Sequence, residues 1–424
     1  MLSISIIREN RDEIIQRLKI KNFNAQELID RILEEDSRRK SLQHKQDSLQ
    51  STLNAKSKEI GALLQAGRQQ EANEAKEATG SMKEEIRLLQ QEQAESLDRL
   101  QDLLVQVPNV PHESVPPGHG EKDNVLLREG GRMPDLDDRS LPHWDLIRKY
   151  DIIDFELGNK LTGAGFPVYL GKGAKLQRAL IDFFLDENIK AGYREVLPPL
   201  VVNEDSGFGT GQLPDKEGQM YHLEEDNFYL IPTAEVPVTN LYRDEILKAS
   251  DLPLRLTAYT PCFRREAGSW GKDVRGLNRL HQFDKVEIVQ IQHPDRSYET
   301  LEEMASHIEQ LVKKLELPYR IMKLCGGDLS FTSALTYDFE VFAAAQKKWL
   351  EVSSVSNFES YQANRLKLRY REESDKKNRP AHTLNGSALA LPRILAALLE
   401  NYQGPDGIRI PEVLRPYTGF DIIP

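Results

Sequence analysis

From Gln26 to Val107 the chain contains no proline, and glycine occurs there only at positions 61, 67 and 80. Glu, Lys, Arg, Gln, Leu and Ala dominate the stretch, and all are strong helix formers. Its second half repeats small or apolar residues at three- and four-residue intervals: Ala72, Ala75, Thr79, Met82, Ile86, Leu89, Gln93, Ser96, Leu100, Leu103 and Val107. That spacing draws one stripe along a helix. The first half follows the rule more loosely through Leu28, Ile32, Leu42, Leu49, Leu53, Ile60 and Leu63. Glu35, Arg39, Gln46 and Lys56 interrupt this seam. A turn is expected between Gln65 and Gln70, around Gly67. The pattern predicts two helices of about 37 residues, each about 55 Å long, folded into an antiparallel coiled-coil hairpin. An arm of that length projects beyond any domain it is attached to.

The rest of the chain reads differently. Residues 108–124 carry Pro108, Pro111, Pro116, Pro117, Gly118 and Gly120, the composition of a linker between a helical domain, 1–107, and a second domain, 125–424. In that second part an amphipathic helix is expected near 173–191, with further helices near 296–316 and 388–402. Strand-like runs fall at 195–202, 254–265, 281–292, 334–341 and 348–355. Strands and helices do not alternate regularly, and neither G-x-G-x-x-G nor G-x-x-x-x-G-K-[ST] occurs. A doubly wound nucleotide fold is therefore disfavoured, and an α+β domain on a mostly antiparallel sheet is expected.

Charge and cysteine content narrow the class. The net charge of −11 argues against a protein that coats nucleic acid without regard to sequence. Two cysteines rule out a disulfide scaffold and suit a reducing compartment. No apolar run is long enough for a membrane span. The N-terminus carries Arg8, Glu9, Arg11, Asp12 and Glu13 where a signal peptide needs apolar residues. A cytoplasmic protein is expected.

Candidate chemistry begins at Tyr259-Thr-Pro-Cys-Phe-Arg-Arg-Glu266. On a strand, Arg264 and Glu266 would share one face. An Arg fork suits phosphate oxygens, and a carboxylate accepts from an exocyclic amine. A salt bridge between strands is the plainer alternative. A glycine-rich loop follows, containing Lys272 and Asp273. The chain then returns through His281-Gln-Phe-Asp-Lys-Val-Glu287, where Phe283, Lys285 and Glu287 recur at period two. A ring, a cation and a carboxylate on one strand face suit a floor that stacks a base and holds an ammonium group.

These residues resemble the second signature motif of class II aminoacyl-tRNA synthetases. The first motif resembles Gly192-Tyr-Arg-Glu-Val-Leu-Pro-Pro-Leu-Val201, with Pro199 where the family has its dimer-interface proline. The third resembles Leu384-Asn-Gly-Ser-Ala-Leu-Ala-Leu-Pro-Arg393, with Ala388 and Pro392 where glycines are frequent. Thr233-Ala-Glu235, Glu351-Val-Ser-Ser354 and Leu384-Asn-Gly-Ser387 are similar to the bacterial seryl-tRNA synthetase family, as is the N-terminal hairpin. The resemblance thus implies a class II antiparallel catalytic sheet behind a tRNA-gripping arm. It implies serine activation by ATP, with Mg²⁺, and transfer to the 3′ end of tRNA(Ser). It leaves tRNA(Sec) open as a second acceptor, and it implies a homodimer.

Carried over residue by residue, the resemblance gives Arg264 the α-phosphate, Glu266 the adenine amine and Phe283 the adenine ring. Arg279 would reach the phosphates or the serine carboxylate, and Arg393 the γ-phosphate. Glu351 and Ser354 would contact ATP and Mg²⁺. Thr233, Glu235, Glu287, Asn385 and Ser387 would hold serine. Ser387 is also a good N-cap for the expected helix at 388–402. Lys272 and Asp273 would belong to a loop at the tRNA acceptor end. His281 is given no base role, because the first step needs none. Two rivals stay open: a ligase that charges another acceptor, and a coiled-coil scaffold that only binds nucleotide. Residues 1–107 hold 17 Lys/Arg against 19 Asp/Glu, so tRNA contact would rest on local patches such as Arg38-Arg39-Lys40, Lys45, Lys56, Lys58 and Arg68.

Overall fold

The computed structural model describes residues 1–136, 139–215, 218–267 and 275–424. It divides into two compact units: Met1–Lys19 with Phe23–Pro108, and Ile20–Asn22 with Asn109–Pro424. Among the described residues no helix is long and apolar enough to cross a membrane.

In the first unit, two short helices, Ile4–Glu9 and Arg11–Leu18, precede α1 (Gln26–Gln65) and α2 (Gln69–Leu104). α1 and α2 form the expected hairpin. The reversal falls at Ala66–Arg68, where Gly67 takes φ +74°, a conformation glycine adopts without a Cβ penalty. Ala72, Thr79, Ile86, Ser96, Leu100 and Leu103 are buried along α2, as the seam requires. The interrupted half of the seam is satisfied by polar pairing. Glu35 accepts from Ser96 Oγ at 2.6 Å and faces Arg99 Nε at 3.3 Å. Asp36 is almost fully buried and is paired with Arg8, Arg39 and Lys40.

The second unit is built on an eight-stranded sheet. Its strands are β1 (Val125–Gly130), β2 (Arg194–Glu195), β3 (Leu254–Phe263), β4 (Gln282–Gln292), β5 (Tyr319–Lys323), β6 (Leu335–Ala343), β7 (Lys348–Asn357) and β8 (His382–Ala390). They lie in the order β1-β5-β6-β7-β8-β4-β3-β2. Every pairing is antiparallel except β2 on β3. The helices are α3 (His143–Lys149), α4 (Gly171–Lys190), α5 (Ser297–Lys314) and α6 (Leu391–Asn401). Leu176, Leu180 and Phe184 of α4, Met304 and Ile308 of α5, and Ile394, Leu395 and Leu398 of α6 join one core with Val286, Ile288, Phe339 and Val355 of the sheet. Residues of β4 alternate: Val286 and Ile288 enter that core, while Phe283, Lys285 and Glu287 line a cavity.

Four expectations change. Residues 195–202 do not form one strand: β2 ends at Glu195, and the next strand is Val201–Asn203. Pro198 and Pro199 lie between them, and neither can donate to a ladder. The helix expected at 388–402 begins at Leu391, because 382–390 is β8. Ser387 is therefore interior to a strand, and Ala390 holds the N-cap position. Pro392 sits in the first helical turn, where its missing N–H costs nothing. Arg264 and Glu266 do not share a strand face, since β3 stops at Phe263 and Glu266 turns to φ +49°. Residues 109–124, expected as a linker, belong to the second compact unit. Asn109 Nδ2 donates to the carbonyls of Thr332 and Phe358 at 2.9 and 2.8 Å, and Gly326 N–H bonds the Pro116 carbonyl.

Candidate active site

A cavity of about 600 Å³ opens over the centre of the sheet. Its floor comes from β7, β8 and β4, which are adjacent. Thr233, Glu235, Arg264, Glu266, Arg279, Phe283, Glu287, Glu351, Ser354, Asn385, Ser387 and Arg393 all line it. Pro199 does not; it is exposed beyond β2. Lys272 and Asp273 lie outside the described residues. His281 stacks on Phe166 with ring centroids 5.5 Å apart, and its Nδ1 meets the Arg264 carbonyl at 3.0 Å.

One end of the cavity is built around a carboxylate oxygen. Glu287 Oε2 lies 2.6 Å from Lys285 Nζ and accepts from Thr233 Oγ1 at 3.3 Å and Ser387 Oγ at 3.4 Å. The β4–β8 register places Glu287 opposite Ser387. Glu235 stands nearby, and its Oε1 accepts from Gln362 Nε2 at 2.6 Å. Gln362 also donates to the Thr210 carbonyl and accepts from Thr383 Oγ1 at 2.7 Å, so its amide is fixed. Burial, with the Glu287 charge adding to it, pushes the Glu235 carboxyl up to about 7. Two acids and one lysine leave this end able to take a ligand cation.

The other end carries arginines and open oxygens. The Arg264 guanidinium lies 5.2 Å from the Phe283 ring centroid, and its Nε donates to the Pro232 carbonyl at 3.3 Å. Arg279 pairs with Glu266 at 2.6 Å, a salt bridge between two residues outside the strands and not one between strands, since β3 ends at Phe263 and β4 begins at Gln282. Arg393 donates to the Asn278 carbonyl at 3.1 Å and to the Glu351 carbonyl at 2.8 Å. Ser354 Oγ donates to Asp338 Oδ1, whose buried carboxyl is held well above the usual range, first by desolvation and then by Glu351.

Sequence reasoning saw Lys285 on the β4 face but gave it no ligand, and it missed Gln362 and Asp338. Gln362 and Asp338 belong to no recognisable motif, and nothing in their local spacing marks them.

Residues 220–402 match the family described as the tRNA synthetase class II core domain (G, H, P, S and T). Together with the antiparallel sheet and its polar cavity, this makes the larger unit a class II aminoacyl-tRNA synthetase core. Residues 1–111 match the seryl-tRNA synthetase N-terminal domain. A serine--tRNA ligase from Salinibacter ruber is 52% identical over 421 residues, which cover 99% of this chain and 98% of the relative. The chain belongs to the serine--tRNA ligase family. The crystal structure of seryl-tRNA synthetase from Pyrococcus horikoshii complexed with ATP is similar at a TM-score of 0.93 and 35% identity, covering 100% of this chain and 99% of that one. The cytoplasmic serine-tRNA ligase from Naegleria fowleri in complex with AMP is similar at 0.88 and 27%, covering 100% and 98%.

Proposed function

We propose that this ligase activates L-serine with ATP and transfers the seryl group to the 3′ end of tRNA(Ser); whether tRNA(Sec) is also charged is decided by the assay below. The observation that carries the serine reading is the convergence of Lys285, Thr233 and Ser387 on one oxygen of Glu287. A pocket built from hydroxyls and buried carboxylates suits a small ligand with an ammonium and a hydroxyl. It would reject alanine, which leaves those groups unpaired. ATP bound to the Pyrococcus relative supports a nucleotide at the arginine-rich end.

The chemistry then follows from charge placement. The serine carboxylate is already a nucleophile and attacks the α-phosphorus, and pyrophosphate leaves. Arg264 neutralises charge at the α-phosphate, and Arg393 holds the departing phosphates. Phe283 supports the adenine ring. Glu266 accepts from the adenine amine once Arg279 turns toward the phosphates or the serine carboxylate. In the second step the 3′-terminal adenosine hydroxyl of tRNA attacks the seryl carbonyl, and AMP leaves. Glu351 and Ser354 offer oxygen donors that fit Mg²⁺, which is commonly held by one or two carboxylates plus substrate phosphates. The ion supplies charge neutralisation on those phosphates.

The helical hairpin is assigned to tRNA. Arg38, Lys45, Lys58 and Arg68 are exposed on it and can meet phosphates locally. A homodimer through the Pro199 region is supported by Leu197, which is 83% exposed, with Leu200 and Val201 also open to solvent. Both cysteines are free, as suits a cytoplasmic enzyme. Serine-dependent pyrophosphate exchange, followed by aminoacylation of tRNA(Ser) and tRNA(Sec), tests the assignment. Exchange driven by another amino acid and not by serine would overturn it.

A further inference from the structure

We propose that His143 and Glu400, a buried pair outside the cavity, are positioning residues that hold the nucleotide end of the site in shape. Both side chains are fully buried. His143 opens α3, and its Nε2 accepts from the Leu277 backbone N–H at 2.9 Å. A backbone N–H can only donate, so Nε2 is unprotonated and the proton sits on Nδ1. That Nδ1–H points to Glu400 Oε1 at 2.9 Å, which also accepts from the His143 backbone N–H; Gln346 Nε2, 3.1 Å from Nδ1, is itself a donor and gives its hydrogen to the same Glu400 oxygen and not to the ring. Glu400 thereby fixes the tautomer, as a carboxylate behind an imidazole does.

Leu277 lies in the short turn Gly276–Asn278, and both Leu277 and Asn278 line the cavity. The turn is held from several sides. Arg393 Nε donates to the Asn278 carbonyl at 3.1 Å. Arg393 and Glu400 are seven residues apart on α6, two turns, so one helix face holds the segment directly through Arg393 and indirectly through Glu400 and His143. Glu400 also orders the polar chain beside it. It accepts from Gln346 Nε2 at 2.6 Å, which leaves Gln346 Oε1 to accept from Asn278 Nδ2 at 2.9 Å. Gly276 takes φ +62°, and a Cβ there would meet His143 Nε2 at 2.4 Å, so the turn rests directly on the imidazole. Arg279 follows the turn immediately. The pair therefore sets where Arg279 and the Arg393–Asn278 contact stand, while the serine end of the cavity is held by other groups.

This inference rests on the reading of Arg393 as a nucleotide residue and, of the two roles open to Arg279, on contact with the phosphates and not with the serine carboxylate. His143→Asn and His143→Gln separate a positioning role from mere packing. Asn keeps a donor for Glu400 but cannot reach Leu277, whereas Gln presents an acceptor near the Nε2 position. In serine-dependent pyrophosphate exchange, His143→Asn should raise KM for ATP about tenfold, with KM for serine within about twofold and His143→Gln within about threefold of the parent. Equal behaviour of the two variants, or a rise in serine KM matching that for ATP, would overturn the proposal. So would failure of both variants to fold, since the pair would then be structural. Arg393→Ala is the control. Unchanged exchange in that variant would sink the nucleotide reading, while a damaged Arg393→Ala beside a normal His143→Asn would sink only the present inference.

Discussion

Lys285 Nζ lies 2.6 Å from Glu287 Oε2, and the two side chains are only 8% and 3% exposed. Adjacent residues of β4 point to opposite faces, so these two, separated by one residue, meet on the cavity side. A buried ion pair of this kind is costly to break one-sidedly. Lys285→Met should destabilise the fold by about 3–5 kcal/mol, because Glu287 would be left buried and unpaired beside Glu235. Combining it with Glu287→Met should recover most of that stability while serine activation stays lost. Thermal unfolding monitored by circular dichroism, with exchange assays on both proteins, checks the two halves. A double variant that still activates serine would remove Glu287 from the serine site.

The Glu235 carboxyl, pushed up to about 7, predicts a pH dependence of serine binding. Below that pH the folded protein keeps the proton, and the pocket loses one anion for the serine ammonium. KM for serine should therefore fall as pH rises from 6 to 8, and Glu235→Gln should flatten the profile. Stability runs the other way. The folded state holds a proton that the unfolded state gives up above its own value of 4.5, so this group's contribution declines as pH rises from there through about 7. A serine KM that is flat with pH in the parent would contradict the assignment.

Arg264→Ala should cut serine-dependent exchange by about 10²–10³, the usual loss when one donor to transition-state charge is removed. The guanidinium makes one backbone hydrogen bond and lies over Phe283, so the fold should persist. Near-normal exchange in a folded variant would exclude Arg264 from the reaction.

Removing residues 28–104 and closing the gap with a short flexible linker should separate the half-reactions. The hairpin buries its seam within itself, so serine activation should survive. Transfer to tRNA should collapse. In the intact enzyme, tRNA affinity should fall steeply with salt while exchange barely changes. An armless protein charging tRNA with undiminished kcat/KM would show that the hairpin is no tRNA grip.

Leu197→Asp should convert a dimer into a monomer, because it places a charge on a leucine that is 83% exposed in the isolated chain. Sedimentation velocity reads this directly. A parent that sediments as a 48.4 kDa monomer at micromolar concentration would refute the dimer itself.

Much of this architecture could be read locally. A helix repeats every 3.6 residues and a strand every two, so the α2 seam and the alternation of Phe283, Lys285 and Glu287 are visible in the sequence alone. The class of the sheet and the family followed from short runs whose residues are neighbours in the chain. What only the tertiary structure decided are relations between distant residues. Asp36 is buried because three cations from two helices surround it. Ser387 faces Glu287, and does not cap a helix, because β8 extends to Ala390 and pairs with β4. Glu266 leaves the strand by a left-handed turn that no propensity required of a glutamate. His143 meets Glu400 across 257 residues of sequence. Periodicity fixes which face of an element a side chain occupies. Which faces come together depends on strand order and helix docking, and those are set by burial summed over the whole domain.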